Sequence, residues 1–406
     1  MLRIAYVGSF AFPAHNAMTH RVCGIASALA AAGFDVCVGA GGSDRSSQTI
    51  QSSDYPFSVA GLGEMAAETD WRLKRITRPF LWGAATERWL DSLEPPPSAL
   101  LVFVGYSAYA RRFLPWCRRR GIPFIADVVE WFQPSHLPGG RLGPFRLDHE
   151  WTVRHLNVQG GNVIAISSYL HHFYESKGCR VICIPPLFDV KAMIEPTAER
   201  DERPPLTIAY AGTPGNKDLL DPILEALLRV NATTTKVRFR LAGVSKQEVF
   251  DCPALQKARM AHPPDWIEAM GSVSSMQARD IVRKADFTVL LRPHLRYSKA
   301  GFPTKIAESL SLGTPVICNF TSDLAAYIRD GIEGVVCYGF TAAPFREAIE
   351  RTLALGSRAW LSMRHNARRR AEECFDVHHY VQPLARFIEG AVAQARSGRM
   401  PCREMK

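Results

Sequence analysis

Short apolar runs alternate with amphipathic stretches along the whole chain, which is the pattern of parallel strands joined by helices. The first run, residues 2–8, ends at a glycine and predicts a buried parallel strand. A polar loop at residues 9–19, a helix over 20–32 and a strand at 36–38 follow. Because ligands of such folds bind beyond the carboxyl ends of the strands, we expect this loop to border a binding cleft.

The alternation occurs twice, and a polar, proline-bearing stretch at residues 189–204 separates the two halves. We predict an N-terminal α/β domain at residues 1–187 and a C-terminal one at 188–378, with a final helix and tail at 379–406. The helix should pack back on the N-terminal domain. Both domains are expected to be Rossmann-like, with doubly wound parallel sheets that face a central cleft. The other predicted strands are 100–104, 123–129, 162–166, 181–184, 206–211, 237–242, 266–271, 287–291, 316–318 and 334–338.

One stretch of the second half, residues 299–318, combines a loop, a helix, a tight turn and a strand. A helix that begins directly after a Gly/Pro loop offers free backbone N–H groups and a positive dipole end to an anion. Pro303 has no N–H, so the donors would be Thr304, Lys305 and their neighbours, and Lys305 adds a positive charge. Glu308, one turn further, is suited to accept hydrogen bonds from sugar hydroxyls. A phosphate beside a hydroxylated ring predicts a nucleotide or nucleotide-sugar ligand.

Other polar groups follow predicted strand ends. The turn from Gly212 to Lys217 precedes a helix and can cradle phosphate, and Arg292 ends the strand at 287–291 near the preceding motif. In the first half, Asp127 and Glu130 stand where a strand ends. An acid there can serve in catalysis or bind hydroxyls, and a helix cap or salt bridge is the alternative interpretation.

Composition narrows the class of protein. The 406 residues are 47% hydrophobic and 22% charged, as in ordinary globular domains, and no apolar run reaches the ~18 residues that span a bilayer. The N-terminus lacks a signal-peptide pattern, and ten scattered cysteines are interpreted as reduced, mostly buried thiols of a cytosolic protein.

The net charge of +10 favours anionic partners. The basic runs at 118–120 and 368–370 are interpreted as solvated helix faces, and no motif for nucleic acid accompanies them. A basic, aromatic stretch at 70–93 is either a helix packed on the sheet or an edge that contacts an anionic membrane surface.

These motifs together resemble the GT-B glycosyltransferases of family 4, or group 1, a retaining, nucleotide-sugar-dependent family, over nearly the whole chain. The resemblance rests on residues 210–218, 271–273, 285–292 and 301–317 of the second half. In the first half, residues 13–21 and 127–131 resemble the subgroup that builds bacterial surface polysaccharides.

The resemblance implies a role for each matching residue. Lys217 would bind the donor diphosphate, with Lys305 or Arg292 as a second cation, and Glu308 would hold the ribose. Glu130 is assigned as binder or proton acceptor of the acceptor hydroxyl, so the implied catalytic residues are Glu130, Lys217 and Lys305. The implied donor-binding residues are Gly212, Thr213, Lys217, Ser272, Val273, Arg292, Pro303, Thr304, Lys305 and Glu308. The implied acceptor-binding residues are His15, Asn16, His20 and Arg21. Family members generally need no metal, so no metal or cofactor is expected.

One position departs from the family pattern, in which two glutamates often stand eight positions apart. The partner of Glu308 falls on Ala300, and the missing carboxylate normally contacts the donor sugar. Lys299 or Ser298 could take over this contact, a different sugar could be bound, or activity could be lost.

The sequence therefore predicts a cytosolic, membrane-peripheral hexosyltransferase. It would move a sugar, with retention, from a nucleoside-diphosphate-sugar to a hydroxyl of a polysaccharide or of a polyprenyl-diphosphate-linked oligosaccharide. The alternatives are a sugar-nucleotide epimerase of the same fold and a catalytically inert assembly subunit. A nicotinamide dehydrogenase is disfavoured because neither half contains a Gly-x-Gly-x-x-Gly sequence.

Overall fold

The chain forms two compact units. The computed structural model describes residues 1–12, 16–43, 50–51, 55–64, 82–103, 105, 107–193, 205–215 and 217–398. The first unit comprises Met1–Leu187, Ala300–Phe302 and Val377–Lys406, and the second comprises Phe188–Lys299 and Pro303–Asp376. Several predictions lie outside the described residues: His15, the first half of the 70–93 stretch, most of the 189–204 linker and the tail beyond residue 398.

The first unit is built on a sheet that, in the described residues, has eight strands in the order β3-β4-β2-β1-β5-β6-β7-β8. All neighbours pair in parallel except β3, which runs antiparallel to β4 at the edge. The strands are β1 (Arg3–Gly8), β2 (Asp35–Ala40), β3 (Ile50–Gln51), β4 (Ser58–Gly61), β5 (Ala99–Phe103), β6 (Phe124–Val128), β7 (Asn162–Ala165) and β8 (Arg180–Cys183).

The second unit contains a parallel sheet whose described strands run in the order β11-β10-β9-β12-β13-β14. They are β9 (Leu206–Ala211), β10 (Val237–Ala242), β11 (Ile267–Ala269), β12 (Phe287–Leu290), β13 (Val316–Cys318) and β14 (Gly334–Val336). Successive strands are added first on one side of β9 and then, from β12, on the other. The neighbours β9 and β12 therefore form the switch point of this sheet, where open α/β folds bind ligands.

Helices connect the strands. They are α1 (Ala17–Ala31), α2 (Ala84–Asp91), α3 (Ser107–Arg120), α4 (Pro144–Trp151), α5 (Asn157–Gly160), α6 (Ser168–Glu175), α7 (Asp221–Val230), α8 (Lys246–Phe250), α9 (Pro253–Lys257), α10 (Ser275–Lys284), α11 (Arg296–Ala300), α12 (Thr304–Ser311), α13 (Leu324–Tyr327), α14 (Ala342–Leu353), α15 (Ser357–Cys374) and α16 (Val381–Arg396). A π-helical turn at Thr152–Leu156 joins α4 to α5. None of the helices in the described ranges is both long and apolar enough to cross a membrane.

Burial explains why short apolar runs of the sequence predicted the strands. Every residue of β5 is buried, and the core of the first unit unites β1 and β5 with Leu384 and Ile388 of α16. Because parallel strands are covered on both faces, they are largely apolar, and β1 and β9 end at or directly before a glycine. The predicted doubly wound, parallel-sheet fold class is confirmed for both units.

The two basic runs differ from each other. Arg118, Arg119 and Arg120 are exposed, as predicted. The prediction is wrong for Arg368, which is buried and donates hydrogen bonds to the carbonyl oxygens of Ser311 and Val190. A guanidinium carries five N–H donors, so it can satisfy several buried carbonyl groups at once and serve as a structural crosslink.

Candidate functional site

Polar side chains gather at the carboxyl edge of the second sheet, where its switch point lies. Arg292 follows β12, and its backbone N–H donates to the Asn319 side chain, which follows β13, at 3.0 Å. Asn319 donates back to the Arg292 carbonyl oxygen at 2.8 Å. The Leu219 N–H donates to the Leu291 carbonyl oxygen at 2.9 Å, which fixes the turn after β9 against the end of β12. Groups that follow three separate strands are thereby held in one place.

The centre of this edge is the carboxylate of Asp218. Its Oδ1 accepts from Arg292 Nε at 2.6 Å, and its Oδ2 accepts from Lys305 Nζ at 2.5 Å and from the Tyr210 hydroxyl at 2.7 Å. Lys305 Nζ also donates to the Tyr210 hydroxyl at 2.7 Å and lies 4.0 Å from the centre of its ring. Two of the predicted donor-binding cations, Arg292 and Lys305, thus share one carboxylate. Sequence reasoning missed both Asp218 and Tyr210.

The environment fixes the charges of this cluster. Burial alone would raise the pKa of Asp218, but Lys305 and Arg292 outweigh it and hold that pKa well below its usual range. Burial lowers the pKa of Lys305, and the pairing with Asp218 opposes this effect. Burial, reinforced by Asp218, raises the pKa of Tyr210 far above its usual value, so the phenol stays neutral. Two cations therefore face one anion, and the excess positive charge is suited to an anionic ligand.

Glycines build the backbone at this edge. Gly212, Gly243 and Gly271 follow β9, β10 and β11, with φ values of +125°, +87° and +65°. Gly212 N–H donates to the Ala242 carbonyl oxygen at 2.9 Å, and Gly243 N–H donates to that of Gly271 at 2.7 Å. A Cβ at Gly212 would lie 3.1 Å from Lys305 Nζ, and one at Gly243 would lie 2.9 Å from the Gly212 carbonyl carbon. The glycines let adjacent turns pack closely and keep bare backbone beside Lys305.

Helix α12 presents the next predicted group, Glu308. The helix begins after Pro303, and no side chain of the described residues caps its first turn, which leaves the N–H groups near Thr304 as donors. One turn along, Glu308 Oε1 accepts from Arg279 Nε of α10 at 2.9 Å, in a half-buried ion pair. Arg279 was not predicted, because 29 residues of sequence separate it from Glu308.

The remaining predicted donor residues lie on the turns of the second unit. Thr213 and Ser272 are exposed, and Val273 is half-buried beyond β11. Lys217 is half-buried, and its carbonyl oxygen accepts from the Tyr297 hydroxyl at 3.0 Å. At the position of the departure from the family pattern, Ala300 is buried. Of the two candidate substitutes, Lys299 is exposed and Ser298 is buried.

In the first unit, Arg21 and Asp127 form a buried ion pair. Arg21 donates to Asp127 Oδ1 at 2.8 Å and to the carbonyl oxygens of Ile184 and Pro185 at 2.5 and 3.0 Å. Tyr6 donates to Asp127 Oδ2 at 2.5 Å. Asp127 thus adopts the salt-bridge alternative, and Arg21 has a structural role inside the unit. The acceptor-binding role of Arg21 stays a prediction.

The other predicted residues of the first unit are placed as follows. Asn16 caps α1, since its side chain accepts from Thr19 N–H at 3.0 Å, and His20 is half-buried in the first turns of the helix. The cap makes α1 begin at Ala17, ahead of the predicted start. Glu130 is half-buried two residues beyond β6. Its neighbour Trp131 is buried, packs against Phe173 at a ring distance of 4.7 Å and fixes this turn.

Comparisons with known proteins concern the fold and a segment of the second unit. Residues 205–354 match the family model described as "Glycosyl transferases group 1". The fold is similar to that of sucrose-phosphate synthase from Thermosynechococcus elongatus, with a TM-score of 0.70, 15% identity, and coverage of 97% of this chain and 100% of that one. No curated protein sequence matches the chain.

Two further solved structures are similar over comparable lengths. Anabaena HepE in complex with UDP and glucose has a TM-score of 0.67 and 11% identity, covering 96% of this chain and 100% of that one. WaaG, a glycosyltransferase involved in lipopolysaccharide biosynthesis, has a TM-score of 0.65 and 14% identity, covering 95% and 100%. The chain therefore has the GT-B fold, and within it residues 205–354 match the group 1 glycosyltransferase model.

Proposed function

We propose that this protein transfers a sugar, with retention, from a nucleoside-diphosphate-sugar to a hydroxyl of a polysaccharide or lipid-linked oligosaccharide. The observation that carries the proposal is the pair of cations, Lys305 and Arg292, at the switch point of a group 1 glycosyltransferase domain. In this position a diphosphate would lie against positive charge and bare glycine backbone.

The chemistry needs stabilisation of a leaving group. The bond between the anomeric carbon and the diphosphate oxygen breaks, and a bond from that carbon to the acceptor oxygen forms. Negative charge develops on the departing diphosphate, where Lys305, Arg292, Lys217 and the N–H groups at the start of α12 would compensate it. The acceptor proton would pass to the donor phosphate or to Glu130. Lysine and arginine can neutralise the leaving group here, so the proposed mechanism uses no metal.

The nucleoside would extend along the same edge. Glu308, held by Arg279, would accept hydrogen bonds from the ribose hydroxyls, and the backbone at Ser272 and Val273 would meet the base. The HepE structure contains UDP and glucose, which makes UDP-sugars the first donors to test. The proposed site of action is the cytoplasmic face of a membrane, where a lipid-linked acceptor would be available.

The test is release of nucleoside diphosphate from a panel of UDP-, GDP- and ADP-hexoses, with and without saccharide acceptors. We expect release from one nucleotide class, stimulated by acceptor, and a product whose anomeric configuration by NMR equals that of the donor. Conversion of the donor to an epimer without acceptor would favour the epimerase. Binding of nucleotide without any turnover would favour the inert subunit, for which Ala300 is the specific observation.

A further inference from the structure

Asp218 lies at the centre of the cationic cluster, although sequence reasoning gave it no role. Its side chain is only 3% exposed, and each of its oxygens holds a different cation. Lys305 is 87 residues away in sequence and Arg292 is 74 residues away, so the carboxylate joins a turn after β9 to α12 and to the end of β12.

The contacts leave the cations able to bind a ligand. An ammonium group has three N–H donors, and in the described residues Asp218 and Tyr210 accept from two of those of Lys305. The Lys305 side chain remains 21% exposed, whereas that of Asp218 is 3% exposed. Arg292 uses Nε on Asp218, and a guanidinium has two further nitrogens. A ligand can therefore reach Lys305 without displacing the carboxylate, whereas the Arg292 side chain is 11% exposed.

We propose that Asp218 is a positioning residue, which holds Lys305 and Arg292 together as a preformed, fully charged pair for the diphosphate of the donor. The proposal rests on the proposed function and assigns to Asp218 no contact with the substrate. Without the carboxylate, two like charges would be forced together in a half-buried site, and one would lose its proton or move away.

Lys305 is the group whose protonation should respond to the loss of the Asp218 charge. The charged and titratable groups that act on it are Asp218, Tyr210, Arg292 and Lys217. Burial, Arg292 and Lys217 all lower the pKa of Lys305, and Asp218 is the charge that raises it. Replacing Asp218 with asparagine keeps the shape and removes that charge. The pKa of Lys305 should then fall, so the ammonium should lose its proton at a lower pH than in the wild type.

The first experiment follows Lys305 itself in the full chain. Lysines labelled with ¹³C at Cε are titrated by NMR, with Lys305→Met to assign the signal. We expect D218N to lower the midpoint of Lys305 by about 1–3 pH units. The matched control is D330N, because Asp330 also accepts from an arginine and a tyrosine, Arg351 and Tyr338, in the same unit. An unchanged Lys305 midpoint in D218N would overturn the proposal.

The second experiment measures the affinity for UDP, GDP and ADP between pH 7 and pH 9.5. We expect D218N to bind the preferred nucleotide about tenfold or more weakly, with the loss growing as pH rises, and D330N to bind like the wild type. Equal or tighter binding by D218N would instead make Asp218 a competitor of phosphate and would overturn the proposal.

Two safeguards keep these outcomes distinct. If wild-type protein binds none of the nucleotides, the proposed function fails, while the NMR titration still decides whether Asp218 controls Lys305. If D218N does not fold, the titration of the wild type still decides whether the pair is fully charged. A Lys305 side chain that is protonated at pH 7 supports the proposal, and one that is neutral at pH 7 contradicts it.

Discussion

At the scale of single residues, Lys305, Arg292 and Glu308 of the candidate site are each paired with a counter-ion from a distant part of the chain. Lys305, Arg292 and Glu308 stand in motifs whose local spacing predicts chemistry. Asp218 and Arg279 pair with them across 87 and 29 residues of sequence, and no local pattern encodes such a partner. Long-range ion pairs depend on which strand ends become neighbours, so they appear only once the sheet order is known.

Arg279 gives a first prediction at this scale. It holds Glu308 through one hydrogen bond of 2.9 Å in a half-exposed pair, so Arg279→Gln should weaken nucleotide binding by only about twofold to tenfold. The loss should be smaller for a 2′-deoxynucleotide, because Glu308 would hold the ribose hydroxyls. Arg283→Gln is the control, because it breaks an ion pair with Asp280 on the same helix. It should change the affinity for neither the nucleotide nor the 2′-deoxynucleotide. Equal losses for both nucleotides would contradict the ribose role of Glu308.

Arg21 gives a second prediction, which concerns stability. Arg21→Gln leaves the Asp127 carboxylate buried without its cation, which should cost about 3–5 kcal/mol of the free energy of unfolding of the first unit. Arg3→Gln removes a partly exposed partner of Asp35 and should cost less than about 1 kcal/mol. Chemical unfolding followed by tryptophan fluorescence compares the two variants. Similar losses would show that the Arg21 pair is not the buried structural contact described above.

At the scale of elements, the sequence located the buried strands well and the short elements poorly. Strand β9 has the predicted bounds, because an apolar run closed by Gly212 admits one interpretation. Strand β4 and the short helices α8, α9, α11 and α13 were not predicted. Segments of four or five residues have little periodicity, and they form where the surrounding fold supplies caps and contacts.

The three glycines that follow β9, β10 and β11 provide the prediction at this scale. In Gly243→Ala the added Cβ would lie 2.9 Å from the Gly212 backbone, and the backbone would be strained at a φ of +87°. The change should therefore destabilise the second unit and also weaken nucleotide binding. Gly331→Ala carries a similar φ of +78°, and no atom of the described residues lies within 4 Å of the new Cβ, so it should cost only about 1–2 kcal/mol. Thermal unfolding and nucleotide titration of both variants separate the effect of backbone strain, which both share, from that of the contact with Gly212, which only Gly243→Ala adds. Indistinguishable variants would mean that the packing of Gly243 on Gly212 does not shape the site.

At the scale of the whole molecule, the class of protein was predictable and the details of its substrates were not. Alternating strands and helices, with the stretch around Lys305, led to the GT-B fold and the group 1 domain that the comparisons support. The sugar could not be predicted, because the resemblance implies a sugar-contacting glutamate at position 300, where this chain has the buried Ala300. Backbone N–H groups and a turn can define a diphosphate site, whereas sugar and acceptor choice depend on individual side chains that vary within one fold.

The most direct measurement is a calorimetric titration of UDP, GDP and ADP into the wild type, Lys305→Ala and Lys284→Ala. Lys284 is the matched control, since it lies in an exposed ion pair with Asp280 in the same unit. A donor site centred on Lys305 predicts that one nucleotide binds the wild type, that Lys305→Ala weakens it about 10- to 100-fold, and that Lys284→Ala binds normally. Wild-type protein that binds none of the three, or Lys305→Ala that binds as tightly as the wild type, would contradict the account.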